Sequence, residues 1–167
     1  SPSYKARKVK NILEATKLIG PATDILKLEF PANMKDDGDS QIVDNLGKLN
    51  EAAIRPWVLL SAGEKFDVFA RQVEFAMKAG CSGTMAGRAI FNEYFEQNTP
   101  EGRAKFLATT GVERMEILKK HVDAYAQPWT ARYGIAEADL AAAVEPTWYL
   151  GEGEYFAGKG GAAEGAY

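Results

Sequence analysis

The sequence predicts an α/β protein built on a parallel sheet, and three observations carry the prediction. Short apolar runs at 25–30 and 57–60, and a run of small residues at 82–86, alternate with segments whose apolar residues recur at three and four. The first two runs are continuously apolar enough to read as buried strands. Each ends in proline or glycine punctuation before a helical pattern begins, which is the signature of successive βαβ units.

The elements follow in order. Over 5–19, Val9, Ile12, Leu13 and Ile19 share one helical face, and Gly20 stops the helix. Residues 25–30 form a strand ended by Pro31. A polar loop with Asp36, Asp37 and Asp39 leads to Ser40 as N-cap, before Ile42, Val43, Leu46 and Leu49 at helical spacing to about Ala53. Pro56 opens the second strand, 57–60, which stops in Ser61-Ala62-Gly63. Phe66, Phe69, Val73, Ala76 and Met77 mark the clearest helix, terminated at Gly80. A third strand of small residues, 82–86, runs into Gly87-Arg88-Ala89-Ile90-Phe91. Helices are expected over 100–109 and 112–126, the latter turning Val112, Met115, Leu118, Val122 and Tyr125 inward. From Trp148 to Tyr167 neither period holds, and an extended tail is expected, with Trp148, Tyr149, Tyr155, Phe156 and Tyr167 as the aromatic anchors of any partner contact.

Composition narrows the function classes. The 167 residues suit about one domain at roughly 150 residues each. A net charge of -3 removes the basic footprint of a nucleic-acid binder. One Cys and one His leave no cysteine framework and almost no zinc chemistry, so Cys81 is expected to be a buried apolar residue. No apolar run reaches about 18 residues, so no membrane helix is expected and the chain reads as cytoplasmic. Three parallel strands cannot close a barrel, and a complete (β/α)8 barrel needs about 250 residues, so the chain reads as part of something larger. Its open sheet edge calls for another segment or chain, and a homo-oligomer is expected.

Within Asp24-Ile25-Leu26-Lys27-Leu28-Glu29-Phe30-Pro31, alternation sets Leu26, Leu28 and Phe30 on one face and Lys27 and Glu29 on the other. Two readings are open. Lys27 and Glu29 form a structural ion pair, or Lys27 points into a desolvated interior that favours the neutral amine, which can attack a carbonyl and form a Schiff base. Downstream, Ser61-Ala62-Gly63 and Ala86-Gly87-Arg88 are successive strand-to-helix connections with glycine where backbone must approach a ligand. In α/β barrels the loops after the last two strands often bind phosphate, and Arg88 would add a bidentate positive fork. His121 is expected to be exposed and without a role, and the aspartates at 36, 37 and 39 to be a solvated loop near the site's mouth, since they lack the remaining positions of a calcium loop.

Three stretches together carry a family resemblance: the Lys27 strand, Pro56-Trp57-Val58-Leu59-Leu60-Ser61-Ala62-Gly63, and Ala79-Gly80-Cys81-Ser82-Gly83-Thr84-Met85-Ala86-Gly87-Arg88-Ala89, with Pro128-Trp129-Thr130 similar too. From about Lys8 to Tyr133 the chain resembles the class I tagatose-1,6-bisphosphate aldolases and their sulfofructose-phosphate relatives. The resemblance implies a (β/α)8 TIM barrel of which this chain supplies about strands six to eight. Residues 1–134 would be the C-terminal half of the barrel, and 135–167 a C-terminal helix and Gly/aromatic tail. It implies cleavage of a phosphorylated ketose to dihydroxyacetone phosphate and an aldehyde, with no metal or other cofactor beyond the covalent lysine imine. By motif, Lys27 would be the Schiff-base lysine with Glu29 facing the same cavity, and Ser61, Ala62, Gly63, Gly87 and Arg88 would hold the phosphate. The acid/base carboxylate and much of the sugar pocket lie in an N-terminal half-barrel segment or chain, which is therefore the expected partner. The alternative is a non-catalytic half barrel, an assembly or regulatory subunit keeping a residual phosphate site. A second alternative is an isomerase that uses Lys27 for electrostatics.

Overall fold

A computed structural model describes residues 2–136 and 138–140. Ser1–Tyr133 forms one compact unit, and a second begins at Gly134. In the second, the described residues include a turn in which Asp139 N–H donates to the Ala136 carbonyl at 2.9 Å. The tail from Trp148 to Tyr167, with its five aromatic residues, lies outside the described residues.

The first unit runs α1 (Pro2–Ile19), β1 (Leu26–Leu28), α2 (Asp39–Ala52), β2 (Trp57–Leu60), α3 (Phe66–Lys78), β3 (Gly83–Met85), α4 (Arg88–Phe91), α5 (Pro100–Phe106), α6 (Val112–Tyr125) and α7 (Trp129–Tyr133). A 3₁₀ turn, Asn92–Glu96, follows α4, and a π-helical stretch, Leu107–Gly111, carries α5 into α6. All three strands are parallel in the order β1-β2-β3. The register places Lys27 beside Val58 and Val58 beside Gly83, with Leu60 beside Met85 one step on.

Strand order in step with chain order has a consequence for the layers. Right-handed crossovers that always advance in one direction put every connecting helix on the same face. Leu26, Leu28, Trp57 and Leu59 turn to that face and are buried against Ile42, Leu46 and Leu49 of α2 and Phe69, Val73 and Met77 of α3. Each such side chain contributes roughly 1.5–3 kcal/mol by leaving water. The other face carries Lys27 and Met85, both exposed, with Val58 and Leu60 half-buried. Among the described residues the sheet is therefore covered by helices on one side.

Other differences are local. α2 is capped by the Gly38 backbone, and Ser40 lies inside the first turn, where Asp39 supplies the favourable negative charge. In α1 the inward stripe is Val9, Ile12, Leu13 and the buried Thr16, whose hydroxyl donates to the Ile12 carbonyl at 2.8 Å; Ile19 is exposed. On α6, Val112, Met115 and Tyr125 are about half exposed, at 50%, 54% and 48%. The side turned inward carries Arg114, Ile117, Leu118, His121 and Val122, so His121 is half-buried rather than exposed. An arginine and a histidine on the packed face hide its period from a hydrophobicity reading, because both present apolar stems or rings to the core.

Candidate active site

At the C-terminal end of β2 the chain reverses through a tight turn in which Glu64 N–H donates to the Ser61 carbonyl at 2.9 Å. Its central residues have positive φ, +49° at Ala62 and +79° at Gly63. Glycine suits the second position for two reasons: the backbone lies in the left-handed region, and a Cβ there would come within 3.1 Å of the Arg88 guanidinium carbon and one of its nitrogens. Arg88 thus lies across the turn from the neighbouring strand end. Gly87, by contrast, faces open space. Neither Ala62, Gly63 nor Gly87 spends its N–H on a loop or turn hydrogen bond among the described residues.

These two strand ends and β1 enclose a cavity of about 370 Å³. Lys27, Ser61, Ala62, Gly63, Gly87 and Arg88 all line it, together with Leu60, Met85, Ala86 and Phe91. Among the described residues its lining holds two cationic side chains and no carboxylate. No ion pair engages Lys27 or Arg88 among the described residues. Lys27 is exposed, so the desolvation expected from its strand position is not supplied by the described residues, none of whose helices covers the sheet face it stands on. Glu29 is half-buried and does not line the cavity, although it shares the strand face of Lys27.

The aspartate loop belongs elsewhere. Asp36 and Asp37 line a separate cavity of about 810 Å³ with Lys8, Lys35, Glu64 and Gln72, where both signs of charge mix. Asp37 accepts the Asn33 backbone N–H at 2.8 Å, and Asp36 accepts the Asn33 side-chain amide, so the loop is braced internally. Among the described residues no cluster of His, Cys, Asp and Glu could hold a metal ion. Cys81 is fully buried, its Sγ 3.1 Å from the Gly83 carbonyl, and burial pushes its thiol up to about 12. It is inert at neutral pH. Leu60, Met85, Ala86 and Phe91 are lining residues that sequence reading did not single out; for Leu60 and Met85 the signal was available in the strand alternation that set Lys27 apart.

Comparison with known proteins shows the family. Residues 3–93 match the DeoC/LacD family aldolase model, and the chain belongs to that family. It is 30% identical to "Tagatose 1,6-diphosphate aldolase 2" of Streptococcus agalactiae serotype III (strain NEM316) over 79% of this chain and 46% of the relative. It is also 30% identical to "Tagatose 1,6-diphosphate aldolase" of Lactococcus lactis subsp. lactis, over 78% of this chain and 45% of the relative. The Staphylococcus aureus (strain MSSA476) enzyme of that name is 29% identical over 79% of this chain and 46% of its own length. The chain thus spans just under half the length of these relatives. Among the described residues no helix is long and apolar enough to cross a membrane.

Proposed function

We propose that this chain supplies the last three strands and outer helices of a (β/α)8 barrel, and that the completed barrel is a class I aldolase acting on a phosphorylated ketose of the tagatose 1,6-bisphosphate or sulfofructose phosphate type. The observation that carries the reading is the cavity at the strand ends, where an amine and a guanidinium converge with no carboxylate in the lining. A phosphate there meets the Arg88 fork, the Ser61 hydroxyl and the N–H groups of Ala62, Gly63 and Gly87. At surface-like screening each full cation about 4 Å away is worth up to ~4 kcal/mol before desolvation. Seating the phosphate fixes the ketone carbonyl beside Lys27, converting a bimolecular encounter into a local one.

The chemistry then belongs to Lys27. Its neutral amine adds to the ketone carbonyl carbon, and uptake of one proton with loss of water leaves a protonated imine. That cation draws in the electron pair of the bond between the α and β carbons as it breaks, the hydroxyl on the β carbon gives up its proton, and the aldehyde departs. Reprotonation and hydrolysis release dihydroxyacetone phosphate and regenerate the amine, with no metal or other cofactor. Glu29 is assigned to the same interior as a proton-handling carboxylate. An N-terminal half-barrel segment or chain covers the bare sheet face, lowers the dielectric around Lys27 and brings the remaining acid/base group. The open edges of β1 and β3 are where the strands of that half pair and close the barrel.

A second reading follows from Lys27's exposure in this chain: a half barrel that binds phosphate but does not turn over. Incubating the assembly with dihydroxyacetone phosphate and borohydride separates the two. Peptide mapping is expected to find the reduced adduct on Lys27, and Lys27→Ala is expected to abolish it while leaving the thermal midpoint unchanged. Phosphate binding without an adduct would select the non-catalytic subunit, and an adduct that survives Lys27→Ala would sink the proposed role.

A further inference from the structure

We propose that Arg114 is the positioning residue of the phosphate seat, holding the two loops that form it in register; the inference rests on the reading of that cavity as a phosphate site. α4 has four residues, too few to satisfy its own carbonyls, and a helix of that length has no independent stability. Asn92 N–H reaches the Arg88 carbonyl. The next two carbonyls are taken from α6: Arg114 Nη1 donates to the Ile90 oxygen at 2.8 Å and to the Ala89 oxygen at 3.3 Å. The same guanidinium grips Glu93 with both terminal nitrogens, at 2.7 Å each. One side chain therefore fixes the segment that begins at Gly87 and Arg88.

The guanidinium also reaches the other loop. The guanidinium carbon lies 5.0 Å from the ring centre of Phe66 and 5.8 Å from that of Phe106. Phe66 opens α3 immediately beyond the Ser61–Glu64 turn and is buried, so stacking on it ties the Gly63 side of the seat to the Arg88 side. Arg114 is not among the residues that line the cavity; it acts through Ala89, Ile90 and Phe66. At 15% exposure its side chain is shielded enough for these bonds to resist competition from water. Lysine cannot stand in, because a compact ammonium cannot grip a carboxylate with two parallel bonds while also reaching the Ala89 and Ile90 carbonyls.

The test uses the assembled protein, inorganic phosphate as the titrant, and two ketones for borohydride trapping at Lys27. In Arg114→Met and Arg114→Lys, phosphate affinity and the trapping of dihydroxyacetone phosphate are expected to fall about tenfold, the scale of a seat displaced by a fraction of an ångström. Trapping of unphosphorylated dihydroxyacetone is expected to stay at the wild-type level. Glu93→Gln, which keeps Arg114 but weakens its anchor, is expected to lose phosphate affinity in the same direction by less, and it keeps the idea falsifiable should Arg114→Met fail to fold. Wild-type phosphate affinity in folded Arg114→Lys and Glu93→Gln would overturn the inference. So would a parallel loss for both ketones, which would mark Arg114 as a support of the fold alone. An Arg88→Ala variant that binds phosphate normally would remove the seat itself and the inference with it. If wild type forms no adduct with either ketone, the aldolase reading falls while the phosphate titration still decides on Arg114.

Discussion

The two ends of the sheet treat their arginines in opposite ways. At the end where β2 and β3 finish, Arg88 lies over Gly63 with no ion pair among the described residues, beside backbone N–H groups that no loop bond uses. At the end where the strands begin, Arg132 of α7 is bonded to the Ala53 carbonyl at 3.0 Å, the Asn50 carbonyl at 3.2 Å and the Asn50 side-chain oxygen. That same oxygen accepts Trp57 Nε1–H at 3.0 Å, and Tyr133 hydroxyl donates to the Asp24 carbonyl at 2.6 Å. Arg55 lies over the Tyr133 ring, 5.5 Å from its centre. The cation at one end is spent on the terminal carbonyls of α2, whereas the one at the other end lines a cavity with no ion pair among the described residues. Barrel enzymes divide stability and chemistry between the two ends of their strands in this way.

Breaking each end separately should produce different signatures. The largest effect is expected from Arg88→Ala, which should weaken phosphate binding by about one to two orders of magnitude, the worth of one charge-assisted fork. The thermal midpoint should hardly move, because the side chain is exposed and supports no packing; a phosphate titration and a thermal melt on the same sample check both halves. Next comes Asn50→Ala, which strands Trp57 Nε1–H and one Arg132 contact and should cost about 2 kcal/mol of stability with phosphate affinity intact. Gly80→Ala tests the same clamp from the backbone: φ is +97° and the new Cβ would sit 3.0 Å from the Asn50 amide, so a loss of about 2 kcal/mol is expected in denaturant unfolding. The smallest effect is pH-dependent. The Arg114 guanidinium beside Glu93 holds its carboxyl down to about 2, against an ordinary value of 4.5. A depressed carboxyl stabilises the fold above its unfolded value, and that contribution fades as pH falls from about 4.5 towards 2. Comparing melts of wild type and Glu93→Gln across that window should show the difference shrinking with acid.

Much of the sheet was legible because its signals are local. Leu26, Leu28 and Phe30 announce a buried strand face by alternation, and Trp57–Leu60 does so by unbroken apolarity. The site residues at 61–63 and 87–88 were legible for a related reason: glycines just past strand ends mark where the backbone must turn or be approached. What stayed hidden depends on partners far along the chain. Nothing near Lys27 tells that its face is uncovered, since that follows from both crossovers winding the same way. Nothing local sets Arg114 apart from the other charges of its helix, and its bonds to Ala89 and Ile90 span 25 and 24 residues. α6 misled for the same reason: Val112, Met115 and Tyr125 make a plausible apolar stripe, but the packed face is the one that carries Arg114.

Cys81 gives the molecule its own clock. It is the chain's single thiol, fully buried beside Trp57 and Gly83, with its ionisation displaced to about 12. An alkylating reagent at neutral pH therefore meets no reactive sulfur until the β2–β3 neighbourhood opens, so the rate of modification measures how often those strands part. Gln127 N–H donates to the Cys81 carbonyl at 3.0 Å, which ties the approach to α7 to the same spot. Sulfur reactivity thus counts the breathing of the start of β3, and ligands seated at the far end of that strand would slow the count without ever touching the sulfur.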